Sequence, residues 1–431
     1  MVIAVSDTGQ LLPVQRPEIP RLPPNVDLGR WAYNKPGHVL PRPRPWPLII
    51  VLPTVVSAAS LADKFGAGLP SHLTNSGIPA AISGAVGRAV PVLAVSPGLR
   101  YEYDPETGAF TRSVVVGGQI LMEHADTLGR SHWNVNLSYE YLQFDDVGGQ
   151  PLRGLSEPRP FVAEDGTRLF TIPRLSYDVQ IQQAALNVTY GVTDRLDLQV
   201  IVPLAHANLV RRETFVFFGL GPTPDEESSG TSGNATGIGD VFVRGKFALW
   251  KGESLSVSGG LGIRTPTGDA ANFLGSGLTE VVPALYISSA TWELPSELSL
   301  RFASNLAMAF TAEDVARSQA RWGLGVDLSW AHRLYGAAAL LGSDDVGPLL
   351  DESALNSLFC AANCRSASPR LVESPAFGID GGRADGLAVS LGIRAPLWRD
   401  SLIGFANVLL PVRNQGVTTT PAPLIGAEFA F

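Results

Sequence analysis

Few residues in this 431-residue chain are spaced as chemistry would need them. His206 and Asn208 in "LAHANLV" come nearest to a hydrolytic site. A hydrolytic histidine must hold a serine nucleophile and be oriented by a third group. No local motif around His206 supplies the serine, and a histidine at the rim of a sheet explains the stretch as well. The remaining histidines, at 38, 72, 124, 132 and 332, lack metal-ligand spacing. Cys360 and Cys364 in "CAANC" have no histidine close by to complete a zinc site. They read as a small loop disulfide formed in an oxidising compartment, with a free thiol pair as the alternative. "GIGDVFVRG" lacks both the spacing of a dinucleotide fingerprint and the helix that must follow it. Asp269 and Glu280 could hold calcium, yet a polar loop accounts for them equally. The expectation is no catalytic residue, no metal and no cofactor.

What remains is charge that recurs with a period of two. In "HWNVNLSYEY", Trp133, Val135, Leu137, Tyr139 and Tyr141 alternate with His132, Asn134, Asn136, Ser138 and Glu140. The same alternation sets Asp178, Asp197, Arg244, Lys246, Arg264, Arg301, Asp327, Arg394 and Glu428 opposite apolar residues in later stretches. Successive side chains of a strand point to opposite faces, so each stretch predicts a half-apolar strand. One phase slip, as at a bulge, is expected near Gln182–Gln183, after which Leu186, Val188 and Tyr190 take over the apolar face. Strands near 278–292, 334–342 and 400–412 are expected with ambiguous phase. The count comes to about twelve.

The elements that carry these charges sort themselves by their connections. "GVTD", "KGES", "ELPSE", "AHR" and "WRD" are tight, and they alternate with long Gly-, Pro- and acid-rich stretches. Short turns on one side and long loops on the other are the habit of bacterial outer-membrane barrels. Tyr190, Trp250, Trp292, Trp330 and Trp398 fall beside the tight turns, where a lipid–water interface favours amphipathic rings. Twelve strands enclose too wide a space for Val and Leu alone to fill, so the apolar face points to lipid and the charged face inward. The fold class is therefore all-β, a transmembrane antiparallel up-and-down barrel spanning 130–431. Charged residues make up only 17% of the chain, and the net charge of -8 disfavours nucleic acid as a partner. The chain ends on "PLIGAEFAF", with Ile425, Ala427, Phe429 and Phe431 on one face, as a closing strand in lipid requires.

The front of the chain is different. "MVIAVSDTGQLLPVQRPEIPRLPPN" shows no pattern of a core. Arg42 and Arg44, an apolar stretch from Pro47 to Val56, and the small Ser57, Ala58 and Ala59 follow in the order of a secretory signal peptide. Residues 1–59 are thus expected to be a spurious leader plus a signal peptide, with translation starting near Val39 and the mature chain near Ser60. A genuine N-terminal extension is the rival. Residues 60–129 mix short apolar runs with Gly and Pro, plus a hairpin about "DPETG". They predict either a plug inside the barrel or a periplasmic segment.

"GVTDRLDLQVIVPL", "TGIGDVFVRGKFAL", "GIRTPTGD" and the ending "ANVLLPV…GAEFAF" resemble the MetA-pathway of phenol degradation family of outer-membrane proteins. The resemblance covers roughly residues 100–431. It implies an outer-membrane barrel tied, at least by name, to hydrophobic or aromatic compounds, and it carries over no catalytic residue. The aromatic end, Phe429 and Phe431, looks like the signal read by the barrel-assembly machinery. The expected function is passive passage of small solutes across the outer membrane of a Gram-negative bacterium. The passage would be lined by Glu140, Asp178, Arg244, Lys246, Arg264, Arg301, Asp327, Arg394 and Glu428. Alternatives are a closed structural or adhesive barrel whose inner charges pair, and, third, a lipid hydrolase.

Overall fold

The computed structural model describes residues 59–67, 84, 86–87, 99–104, 109–114, 121–156, 159–162, 168–218, 225–330, 334–348, 356–362, 370–375, 383, 385–398, 402–414 and 417–430. The period-two stretches form twelve long strands. These are β1 Trp133–Val147, β2 Arg168–Thr193, β3 Leu196–Phe218, β4 Phe242–Lys251, β5 Leu255–Arg264 and β6 Glu280–Ser289. They continue as β7 Leu298–Thr311, β8 Gln319–Trp330, β9 Leu334–Asp345, β10 Gly386–Trp398, β11 Leu402–Asn414 and β12 Ala422–Ala430. Each pairs antiparallel with the next, and β12 returns to β1 with Phe429 opposite Val135 and Ile425 opposite Tyr139. The sheet is closed, as it must be if no backbone edge is to face hydrocarbon.

Exposure separates the two faces. Leu137 and Leu306 are each 59% exposed and Ile425 57%, whereas Ser258 and Asp327 on the opposite face are 0%. An apolar exterior over a polar interior is the arrangement the alternation predicts. Phe429 lies on the outer face, and Phe431 falls outside the described residues, as does the Cys360–Cys364 pair through Cys364. Trp250, Trp292 and Trp330 are exposed beside short turns, and Tyr190 packs on Trp133 with ring centroids 4.4 Å apart. The Trp398 side chain lies outside the described residues.

Connections at 194–195, 252–254, 331–333 and 399–401 are two or three residues long and that at 290–297 eight; they alternate with connections of fifteen residues or more at 148–167, 219–241, 265–279 and 346–385 and with two of seven at 312–318 and 415–421. One of the longer ones is not a loop. Asp225–Ile238 runs back along β3, from Phe217 opposite Asp225 to Leu204 opposite Ile238. Its Gly, Ser and Thr residues hide the period, because none is large enough to mark a face.

The phase slip at Gln182–Gln183 does not occur. β2 keeps one register with β3 from Phe170 opposite Phe218 to Gly191 opposite Asp197. Tyr177, Val179 and Ile181 therefore point inward with Ala185 and Asn187, all nearly or wholly buried. Asp178, expected in the lumen, sits on the outer face of this extension, 3.5 Å from Arg153. The reason lies in the surroundings. Beyond the lipid band the outer face meets water and turns polar, while the inner face packs on a core and turns apolar. A reversal of polarity along an unbroken strand looks, in sequence, like a slip of register. The strands of ambiguous phase have a related cause: Tyr286, Tyr335, Ile403 and Phe405 are apolar residues facing inward.

Val200, between Val188 of β2 and Val243 of β4, stands in the lipid-facing band. Val200→Arg should cost roughly 2–4 kcal/mol, read as a lower urea midpoint for unfolding from lipid vesicles. An unchanged midpoint would remove that residue from the lipid-facing band.

Candidate functional site

Residues 121–131 pass inside the ring before the chain enters β1. Two left-handed residues, Gly129 with φ 95° and Ser131 with φ 62°, turn this strap into the first strand. Ser131 N–H donates to the Gly191 carbonyl at 2.7 Å, and Gly191 N–H donates to the His132 carbonyl at 2.9 Å. A Cβ on Gly191 would stand 1.7 Å from the Gly129 carbonyl oxygen, so only glycine lets the two backbones approach this closely.

Along the strap, Glu123, His124 and Asp126 each meet an ionisable partner on the wall. Glu123 accepts from Arg244 on β4 and, at 2.6 Å, from the Lys246 ammonium. Arg244 also donates to the Tyr286 hydroxyl at 3.2 Å. His124 Nε2 lies 3.0 Å from an Asp327 carboxylate oxygen on β8. Asp126 pairs with Arg301 on β7. The backbone is held too. Leu128 N–H donates to both carboxylate oxygens of Asp197, at 3.1 and 2.9 Å. Ala125 N–H donates to Ser288 Oγ at 3.0 Å, and Ser258 Oγ donates to the Ala125 carbonyl. All these charged groups are buried or nearly so. A charge there survives only because a counter-charge and hydrogen bonds replace the water it lost.

Toward the long-loop end the interior changes character. A short helix, α1 Leu61–Gly66, starts at Ser60, whose side chain accepts from the Asp63 N–H while the Asp63 carboxylate accepts from the Ser60 N–H. Its Phe65 stacks on Tyr177 with centroids 4.1 Å apart, and the Tyr177 hydroxyl donates to the Phe65 carbonyl at 3.0 Å. Leu61 and Phe65 join Leu142, Phe144, Leu175, Val179, Ile181, Leu209 and Phe273 in one apolar core. Arg211 donates to the Lys64 carbonyl at 3.3 Å, and Lys64 to the Ser232 carbonyl at 3.2 Å, fastening the helix to β3 and the 225–238 strand.

Of the residues expected to line a passage, Arg244, Lys246, Arg301 and Asp327 are gathered around the strap. Arg264 instead donates to Asp240 at 3.0 Å and to the Gly87 carbonyl at 2.9 Å, with Glu280 3.9 Å away. Arg394 and Glu428, 3.3 Å apart, pair across strands β10 and β12. Glu140 points inward, buried. His206 faces outward on the protruding sheet, its ring nitrogen 2.6 Å from Thr236 Oγ1. Sequence reasoning missed Glu123, His124, Asp126, Asp240 and Glu280. "EHAD", a cluster of ionisable residues just ahead of the first strand, was the signal for the first three. Asp240 and Glu280 stand at strand starts, where an acid reads as part of a loop.

Comparison with known proteins follows from this architecture. Residues 161–340 match the family described as "Putative MetA-pathway of phenol degradation". The family resemblance carried by the sequence motifs is thus shown, over a stretch from just before β2 into β9. No curated protein matches the chain. Among solved structures, the chain is similar to a COG4313 outer membrane channel from Pseudomonas putida F1, at 12% identity and a TM-score of 0.39, covering 71% of this chain and 98% of that one. The KdgM porin has 8% identity and a TM-score of 0.32, over 69% and 99% of the two chains. A Pseudomonas aeruginosa FadL homologue has 8% identity and a TM-score of 0.30, over 70% and 90%. Likeness at that level says nothing about what passes through the barrel.

Glu123→Gln leaves Arg244 and Lys246 buried without their shared carboxylate, a loss of about 3–5 kcal/mol for a broken buried pair. Amide exchange in 121–128 should then speed up at least about a hundredfold, while the β-strands stay protected. Gly191→Ala should expose the strap's exit, seen as new protease cleavage near Gly129 in the folded barrel. Full protection in both variants would mean the strap is held elsewhere.

Proposed function

We propose that the protein is an outer-membrane channel for small solutes, and that the strap 121–129 holds it closed in the state described here. The observation that carries this reading is the charge matching on the inner wall. Arg244 and Arg301 take their counter-charges from Glu123 and Asp126 on a non-strand segment, and Lys246 lies between Glu123 and Asp197 of the wall, the latter 3.7 Å away. A barrel meant only as scaffold gains nothing from burying charges against a removable segment, since apolar packing of similar volume would be at least as stable. A segment held by ion pairs at one wall can leave with its charges intact, because water solvates both partners once they part. The family's description in terms of phenol degradation supports small aromatic compounds as the solutes, moving passively in or out. The processed N-terminus expected near Ser60 is consistent with export, and the short turns would then face the periplasm.

The test is electrical. Refolded full-length protein in a planar bilayer should be closed most of the time, with brief ohmic steps. The double variant Glu123→Gln/Asp126→Asn should spend at least about tenfold more time open, the response to some 1.4 kcal/mol of lost closure. If both insert as folded barrels and neither conducts, the channel reading is wrong and the closed structural barrel replaces it.

A further inference from the structure

The bonds made by residues 123–128 of the strap reach β3 through β8, and the opposite wall carries buried polar groups with no hydrogen-bond partner among the described residues. On the wall made by β10, β11, β12, β1 and β2, several polar residues bond one another. Gln199 of neighbouring β3 donates to Asn187 at 2.9 Å, Asn407 to Ser390 at 2.7 Å and Arg394 to Glu428 at 3.3 Å. The inward column of β1 does not share in this. Asn134, Asn136, Ser138 and Glu140 are 1%, 1%, 2% and 1% exposed. Yet Asn134 Nδ2, both polar atoms of the Asn136 amide, Ser138 Oγ and both Glu140 carboxyl oxygens have no hydrogen-bond partner.

Unmet polar groups are rare in native interiors; they occur on the strap side too, at Ser299, Asp327 and Ser329, but β1 has them at four successive inward positions. The surroundings say what could meet them. Ser138 is flanked across the sheet by Ala185 and Gly426, both small. The Phe405 ring lies over Gly426, where a Cβ would come within 2.3 Å of it. Leu424, beside Glu140, belongs with Phe405 and Ala185 to an apolar cluster that also takes in Ile201, Phe242, Val282 and Ala309, with Leu121 of the strap packed against it. A carboxyl group, a hydroxyl and an amide thus border an apolar patch.

We infer that the inner face of β1 from Asn134 to Glu140 is a binding track for small uncharged molecules with an apolar body and a hydroxyl group. A buried carboxyl without a counter-charge keeps its proton, so Glu140 can donate as well as accept, and the column favours an uncharged polar end over a charged one. The apolar patch takes the hydrocarbon body, and Ser138 and Asn136 meet the polar end in either sense. The column is buried and its polar atoms lack partners, which an occupant would supply. The inference rests on the channel reading, since a scaffold has no use for such a track, but its test is binding and not conductance.

Folded full-length protein in detergent is titrated with benzylamine, benzyl alcohol and benzoate by ligand-detected NMR, with folding checked by heat-modifiable gel mobility. Benzyl alcohol should bind, and benzylammonium and benzoate should not. Ser138→Ala should weaken the alcohol by at least about tenfold, and Glu140→Gln, whose amide also donates and accepts, should weaken it less. Either ion binding as tightly as the alcohol, no binding by any of them, or unchanged affinity in both variants would overturn the track. A conducting barrel without binding sinks the track alone. Binding without conductance in any variant sinks the channel reading instead.

Discussion

Pairing between β12 and β1 is the constraint from which the rest follows. In hydrocarbon an unpaired backbone N–H or C=O has no water to turn to, so a sheet that spans the bilayer must return to its first strand. Phe429 opposite Val135 and Leu424 opposite Glu140 mark that seam. Once the sheet is closed with apolar side chains outward, the polar side chains of the lipid-facing band are delivered to one enclosed space. Closure thus solves the backbone problem and creates an electrostatic one.

The electrostatic problem is solved unequally around the ring. Arg394 pairs with Glu428 two strands away, and Arg264 with Asp240 at the mouth of the barrel. Arg244 and Arg301 depend on Glu123 and Asp126, which arrive on a segment that is not part of the sheet, and Lys246 lies between Glu123 and Asp197 of the wall. The strap fits because glycines at 129 and 191 allow its backbone to touch the wall where it turns into β1. A few residues with the right charges and two without side chains decide whether this side of the lumen is filled.

Height matters as much as side. At the level of the lipid band the inner face is charged and matched to the strap. Beyond it, β2 and β3 continue as a protruding sheet whose inner face is apolar and closes around Leu61 and Phe65. The same strand therefore serves two interiors of opposite polarity, and the helix at the top and the strap below are held by different forces. Hydrophobic packing would be little affected by salt, whereas contacts between charges weaken where water and ions gain access.

The amino-acid sequence by itself determined the strands, their outward faces and the parity of the connections, because a strand in lipid has to alternate and short turns need recognisable residues. Arg244, Lys246, Arg301, Asp327 and Glu140 could be assigned to the inner face on that ground alone. Phase was lost where the environment changed along a strand, as at Tyr177 and Asp178, since alternation reports polarity and not direction. It was also lost where small residues carry no preference, as in Asp225–Ile238. Which charges meet was decided only by the tertiary structure. Glu123 and Arg244 are far apart in the chain, and nothing local in either stretch encodes the other. Ion pairing depends on distance in space, and that distance was set when the sheet closed around the strap.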